Sequence, residues 1–289
     1  MKHYTDMDIE NKNQPPAELK PAVQRLKPQV VKEASEKGKV FYDNKNLLLV
    51  DRLVGGHETF SNIELTLRPG DYTTYQATRR AFALDPTLRE RYRVNPCQVV
   101  DPRVPLPIGT AIHVIVGRPP KLIVVPRPPH VADAVGFYTC CAQGYAELDQ
   151  DLISLGNSDH YSYIRNMTRE LREERKLTVI NPMESIKPIA LIYAHDRLTF
   201  NIVGYVYLPD KRPEDVLQFV PKANEGKPEA LDFPAVAGQD NEALKDLCRH
   251  LLHNPWVEEA AIGLILLLQR IHGDERVLKY LWQAEPRDP

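Results

Sequence analysis

The sequence predicts an α/β protein, a sandwich of helices about a mixed sheet, preceded by an N-terminal α+β extension. Three observations carry that expectation. Short runs of β-branched and aromatic residues, bounded by glycine and proline, recur at 111–116, 122–125 and 137–142, the pattern of buried strands. A charged helical pattern at 161–175 comes next, followed by strand runs at 186–193 and 198–208. Two helical patterns, 241–253 and 256–271, then close the chain. That order favours helices layered on a single sheet.

Residues 1–36 are rich in Lys, Gln, Glu and Pro, which predicts a polar tail holding one short helix near 22–34. An N-terminal extension over 37–104 follows. Within it, 40–42 and 47–50 read as strands around an Asn-bearing turn, and 63–67 alternates as a strand does. Pro69, Gly70 and Asp71 predict a turn. The stretch 72–82 then reads as a helix capped by Thr73 or Thr74. The α/β domain is expected over 105–289. The chain has 25 prolines, gathered at 15–16, 102–107, 119–120 and 126–129; that density excludes helix and punctuates strands. Ala194, His195, Asp196 and Arg197 predict the turn of a hairpin. The last helix should end near Gly273, with His272 in its final turn.

At 289 residues, 43% apolar and 26% charged, the chain has globular composition and ample length for a core. A net charge of −2 gives no support to bulk nucleic-acid binding. The four cysteines, Cys97, Cys140, Cys141 and Cys248, are few and poorly spaced for a disulfide framework. Adjacent Cys140 and Cys141 read as buried strand residues. The opening residues lack an apolar signal core, and the longest apolar run, 260–268, is nine residues and too short to span a bilayer. A soluble cytoplasmic protein with no membrane association is expected.

The most informative stretch is Arg169-Glu170-Leu171-Arg172-Glu173-Glu174-Arg175-Lys176-Leu177. On a helix, Glu170, Glu173 and Glu174 fall at i, i+3 and i+4, so three like charges crowd one face. A divalent cation would turn their repulsion into coordination, because hard cations prefer oxygen ligands. Arg169 lies four residues before Glu173 and can hold that carboxylate. The same composition also suits a solvated helix laced with ion pairs. Ile164, Met167 and Leu171 repeat at i, i+3 and i+7, so one side of the helix should be buried and the carboxylates should border a cleft.

This segment resembles the second half of the Nudix hydrolase motif, which runs Gly, five residues, Glu, seven residues, then Arg-Glu-aliphatic-X-Glu-Glu-X-Gly-aliphatic. Arg169, Glu170, Leu171, Glu173, Glu174 and Leu177 match; Lys176 stands where the family has glycine. Upstream, Tyr161 occupies the place of the motif Glu and Leu155 that of the motif Gly, with Gly156 one residue out of register. A loop longer by 11 residues would make Gly144 the motif glycine, with Glu147 soon after; 149–159 is polar and carries Gly and Asn, as an insertion would. The resemblance implies a Nudix-like α/β/α sandwich with a mixed sheet, the motif helix on one face and the terminal helix on the other. It implies Mg²⁺- or Mn²⁺-dependent hydrolysis of a phosphoanhydride in a nucleoside diphosphate derivative. Glu170, Glu173 and Glu174 map onto the metal ligands, Glu170 onto a ligand or the general base, and Arg169 onto the residue orienting a carboxylate. A further acid from a later loop is implied, with Glu225 and Glu229 as candidates. The alternative is a catalytically inactive Nudix-derived module that binds a nucleotide as a sensor or interaction domain. A nucleotide-derived small molecule is the expected partner, and a homodimer is admitted.

Other constellations are open to two readings. Arg118, Lys121, Arg127 and His130 surround two apolar strands and could meet phosphates, with Arg118 and Arg127 the candidate substrate contacts beside Gly144; strand-end charges are also normally just solvated. Cys248, His250 and His253 lie close on one helix but lack zinc-site spacing, so an exposed His250 and a core Cys248 are expected. Gly55-Gly56-His57 reads as a plain turn, since no Gly-Lys-Ser/Thr follows. No Gly-X-Ser-X-Gly occurs, which leaves covalent hydrolase chemistry unsupported.

Overall fold

A computed structural model describes residues 15–36, 47–55, 63–92, 104–128, 134–155, 158–218, 226–236 and 241–283. The expected strand at 40–42 and the residues Gly56, His57, Cys97, His130, Gly156 and Glu225 lie outside them. The chain divides into two compact units. One comprises Met1–Gly109, Tyr145–Ser162 and Tyr193–Phe200; the other comprises Thr110–Gly144, Tyr163–Ile192 and Asn201–Pro289.

In the first unit, α1 (Lys20–Glu36) packs on α2 (Tyr72–Leu84). Leu19, Val23 and Leu26, spaced at i, i+4 and i+7, are buried, so the polar tail contains an amphipathic helix longer than its periodicity suggested. β1 (Leu47–Gly55) and β2 (Ile63–Gly70) form an antiparallel ribbon with a bulge between Val50 and Arg52. The turn expected at Pro69 and Gly70 is instead the end of β2. Asp71 then caps α2, its carboxylate accepting from the Thr74 N–H at 2.7 Å; a carboxylate one residue before the helix displaces the threonines from that role. α3 (Pro86–Arg91) follows, capped by Asp85. Tyr75, fully buried, donates its hydroxyl to the Arg197 carbonyl at 2.6 Å. A two-residue link separates β7 (Leu152–Leu155) from β8 (Ser158–Tyr161), an antiparallel hairpin. It falls where the sequence has the look of an insertion.

The remaining strands are β3 (Ile108–Val116), β4 (Lys121–Pro126), β5 (Tyr138–Thr139), β6 (Ala142–Tyr145), β9 (Ile186–Ala194), β10 (Thr199–Leu208) and β11 (Glu229–Asp232). They form one sheet in the order β11-β4-β3-β10-β9, with β5 on β4 and β6 on β3. β4 runs antiparallel to β3 and β11. Phe200 N–H donates to Pro107 O and Gly117 N–H to Leu208 O, start to start and end to end, so β3 and β10 are parallel and the sheet is mixed. The single strand expected at 137–142 is two, and Cys140 and Cys141 sit, buried, at the bend between them.

Side chains on β3 alternate in the second unit. Ala111 and Ile115 face one cluster, with Leu122, Val124 and Val203, while Ile112, Val114 and Val116 face the other, with Ile123 and Val206. A strand buried on both faces is apolar throughout, as this one is. The first cluster is covered by α7 (Asn241–His253), α8 (Glu258–His272) and α9 (Asp274–Gln283); the second by α4 (Tyr163–Arg175) and by Val216 of α6 (Pro213–Leu217), while the short α5 (Pro182–Ser185) buries no residue. Helices on both faces complete the expected α/β sandwich. Gly273, with φ +85°, ends α8 as expected; α9 starts at the next residue and was not anticipated. His250 is half-buried rather than exposed, because its ring packs edge-on against Tyr138 at 4.6 Å. No helix among the described residues is long and apolar enough to cross a membrane.

Two positions give direct stability tests. Lys176 closes α4 with φ +52°, the left-handed conformation that glycine adopts without steric cost. Its N–H donates to Arg172 O at 3.1 Å, a left-handed C-cap. Lys176→Gly should therefore raise stability by about 0.5–1 kcal/mol in denaturant unfolding. His113, fully buried under α8 at Gly263, has no hydrogen-bond partner within bonding geometry for either ring nitrogen among the described residues, and burial pushes its pKa down from 6.5 to about 4 against the opposing influence of the Ala260 backbone. Unfolding lets it take up a proton below pH 6.5, which the folded chain resists until about pH 4. Its contribution is complete above pH 6.5 and is lost as pH falls across that window, by roughly 3 kcal/mol in all. Urea midpoints of His113→Leu measured from pH 7 to 4 should fall less steeply than those of the wild type.

Candidate functional site

The acidic helix α4 buries Ile164, Met167 and Leu171 against the sheet, as the stripe required. Close approach depends on Gly204 in β10, where a Cβ would lie 3.0 Å from Met167 Cε. Asn166, also buried, accepts from the Thr110 hydroxyl of β3. One polar pair and one apolar stripe thus fix which side of α4 faces the sheet.

The carboxylates do not share one environment. Glu170 is buried at 6% exposure, Glu174 is partly buried, and Glu173 keeps half its side chain in solvent. Arg169, itself buried, pairs with Glu170 at 2.8 Å and reaches Glu173 at 3.5 Å. The pairing with Glu173 follows from the i, i+4 spacing. The closer pairing with Glu170 does not, since adjacent helix residues do not normally face each other; here both side chains are buried.

Opposite this edge of the helix runs the segment 141–144, and three contacts join them in order. Arg175 donates from Nε to the Cys141 carbonyl at 2.7 Å. Glu174 accepts from the Gln143 N–H at 3.2 Å. The Glu170 carboxylate lies against Gly144 so closely that a Cβ there would overlap it. Gly144, proposed from sequence as the motif glycine, is thereby brought against the acidic helix despite the 18 residues between them, 145–162, which hold the β7–β8 hairpin. Arg118 and Arg127 are placed elsewhere. Arg118 sits in the turn after β3, its guanidinium 3.9 Å from the Asp210 carboxylate. Arg127 lies just beyond β4, its N–H bonded to Phe137 O.

The hard oxygen donors of the three glutamates suit Mg²⁺ or Mn²⁺ in kind. Their arrangement does not: among the described residues no group of three or more His, Cys, Asp or Glu side chains is placed to hold a metal ion. Glu170 is enclosed by Arg169 and Gly144, and Glu174 is bonded to a backbone amide. Glu147 accepts from Gln150, and Glu229 on β11 accepts from the Tyr138 hydroxyl at 3.3 Å. Sequence reasoning missed Arg175, Asn166 and Glu259. Arg175 had a signal, as a cation in the last turn of a helix; Asn166 and the buried Glu259 had none. Burial, reinforced by the charge of Glu259, pushes the Cys140 thiol up to about 12, so it is no thiolate nucleophile near neutral pH.

No family model matches the sequence, and no curated protein matches it. Solved structures that the chain resembles include those of Nudix and MutT family proteins. The Nudix domain of Shewanella oneidensis NrtR, complexed with ADP ribose, has a TM-score of 0.39 at 9% identity, over 57% of this chain and 88% of that one. A mutT/nudix family protein from Listeria innocua gives 0.37 at 17% identity, over 58% and 95%. The C. elegans Ap4A hydrolase gives 0.30 at 12% identity, over 56% and 96%. With every one of these TM-scores below 0.5, the likeness says nothing of this chain's chemistry.

Proposed function

We propose that this chain is a binding module of Nudix type, which recognises a nucleotide derivative without hydrolysing it. The observation that supports this is the occupied state of the acidic edge. Glu170 and Glu174, two of the three carboxylates a metal-assisted hydrolase of this kind would gather, are engaged by Arg169 and by the Gln143 amide. The half-exposed carboxylate of Glu173 offers a phosphate no donor. A phosphate-bearing ligand would be met away from that edge, by the cations Arg118 and Arg127, whose guanidiniums can pair with it bidentately.

A second reading is favoured by a specific observation. The order Arg169-Glu170-Leu171-X-Glu173-Glu174 is intact, and Lys176 keeps the left-handed turn that the motif glycine would supply. On that reading the chain hydrolyses a phosphoanhydride with Mg²⁺ or Mn²⁺, Glu170, Glu173 and Glu174 serving as ligands, Glu170 alternatively as base, and Arg169 as the orienting residue.

One experiment separates them. Nucleoside diphosphate derivatives are offered to the whole chain with Mg²⁺, Mn²⁺ or chelator, with binding read by calorimetry and turnover by phosphate or monophosphate release. The binding module should bind without release, with or without metal, and Arg118→Ala with Arg127→Ala should weaken binding about tenfold or more. Metal-dependent release that drops about 10²-fold or more in Glu170→Gln would establish the hydrolase instead. Absence of binding across the panel removes the nucleotide reading altogether.

A further inference from the structure

We propose that Glu170 acts as a metal-free clamp between α4 and β6, and that Gly144 is glycine because the clamp needs its missing side chain; the inference rests on the non-hydrolytic reading of the acidic edge. Three observations support it. The Glu170 carboxylate is buried, its Oε1 is held by the equally buried Arg169 at 2.8 Å, and that same oxygen lies closest to where a Cβ of residue 144 would be. Gly144 has no backbone need to be glycine, since its φ lies outside the left-handed range. The requirement at this position is therefore space, and what fills the space is the carboxylate.

A buried carboxylate is tolerated only when a donor or cation compensates it. In a metal centre that compensation comes from the ion. Here Arg169 supplies it from the same helix, and the neighbouring contacts Glu174 to Gln143 N–H and Arg175 to Cys141 O extend it along the strand. An alanine at 144 would push the carboxylate off Arg169 and break that pairing. Removing the carboxylate first would leave room for the methyl group.

The consequence is a coupling between two positions, measurable by thermal unfolding of the whole chain. Gly144→Ala should lower Tm by roughly 5 °C, while the same change made on a Glu170→Ala background should cost no more than about 1–2 °C. Should Gly144→Ala alone fail to fold, recovery of a folded double variant gives the same result. Equal losses on both backgrounds would overturn the clamp. Millimolar Mn²⁺ or Mg²⁺ should leave the wild-type Tm unchanged. A metal-induced rise that disappears in Glu170→Gln would also overturn it, because the carboxylate would then be a ligand. Failure of nucleotide binding in the earlier panel leaves this coupling untouched, so the two readings fail separately.

Discussion

A helix that carries three glutamates on one side can be packed on a sheet only if the carboxylates that become buried find donors. That constraint organises the second unit. α4 must bury Ile164, Met167 and Leu171 to cover its face of the sheet, and seating that stripe pulls Glu170 out of water. An isolated buried carboxylate costs several kcal/mol, and the position of the helix is supported by Arg169 beside Glu170 and by the strand segment 141–144, which presents a carbonyl, an amide and an open glycine in that order. The apolar stripe decides which way the helix faces; the polar edge decides where along the strand it comes to rest.

Much of the fold could be read from local patterns because its strands are buried on both sides. The run 111–116 is apolar throughout, and it proves to alternate between two clusters rather than between core and solvent. The helix at 241–253 was legible to the residue, since its apolar positions and polar flanks both have the helical period. What misled was short-range chemistry read without its neighbours. Pro69 and Gly70 carry turn residues yet finish a strand, because β1 supplies the ladder that holds them extended. Thr73 and Thr74 are good caps, yet Asp71 precedes them and takes the amide first. Gly273 announced the end of a helix correctly but hid the helix that starts one residue later.

The acidic edge was legible in a different sense. Spacing gave the shared face of Glu170, Glu173 and Glu174 and the reach of Arg169 to Glu173. It could not give the partners that distinguish the three, because those lie on β6, 26 or more residues earlier, and no local period links the two segments. Nor could it show that Arg169 would turn to its immediate neighbour. That preference exists only because both side chains are buried, at 7% and 6% exposure, where Coulombic attraction is stronger than at the surface.

The chain between these segments holds a hairpin of its own. Its residues pair with one another, Leu152 with Tyr161 through to Leu155 with Ser158. Lengthening a connection costs little loop-closure entropy. The contacts of Arg175, Glu174 and Glu170 with 141–144 therefore depend little on the length of chain between them. They depend on three things at the two ends: a helix whose stripe seats it on the sheet, an arginine that pairs with a buried glutamate, and a strand residue without a side chain.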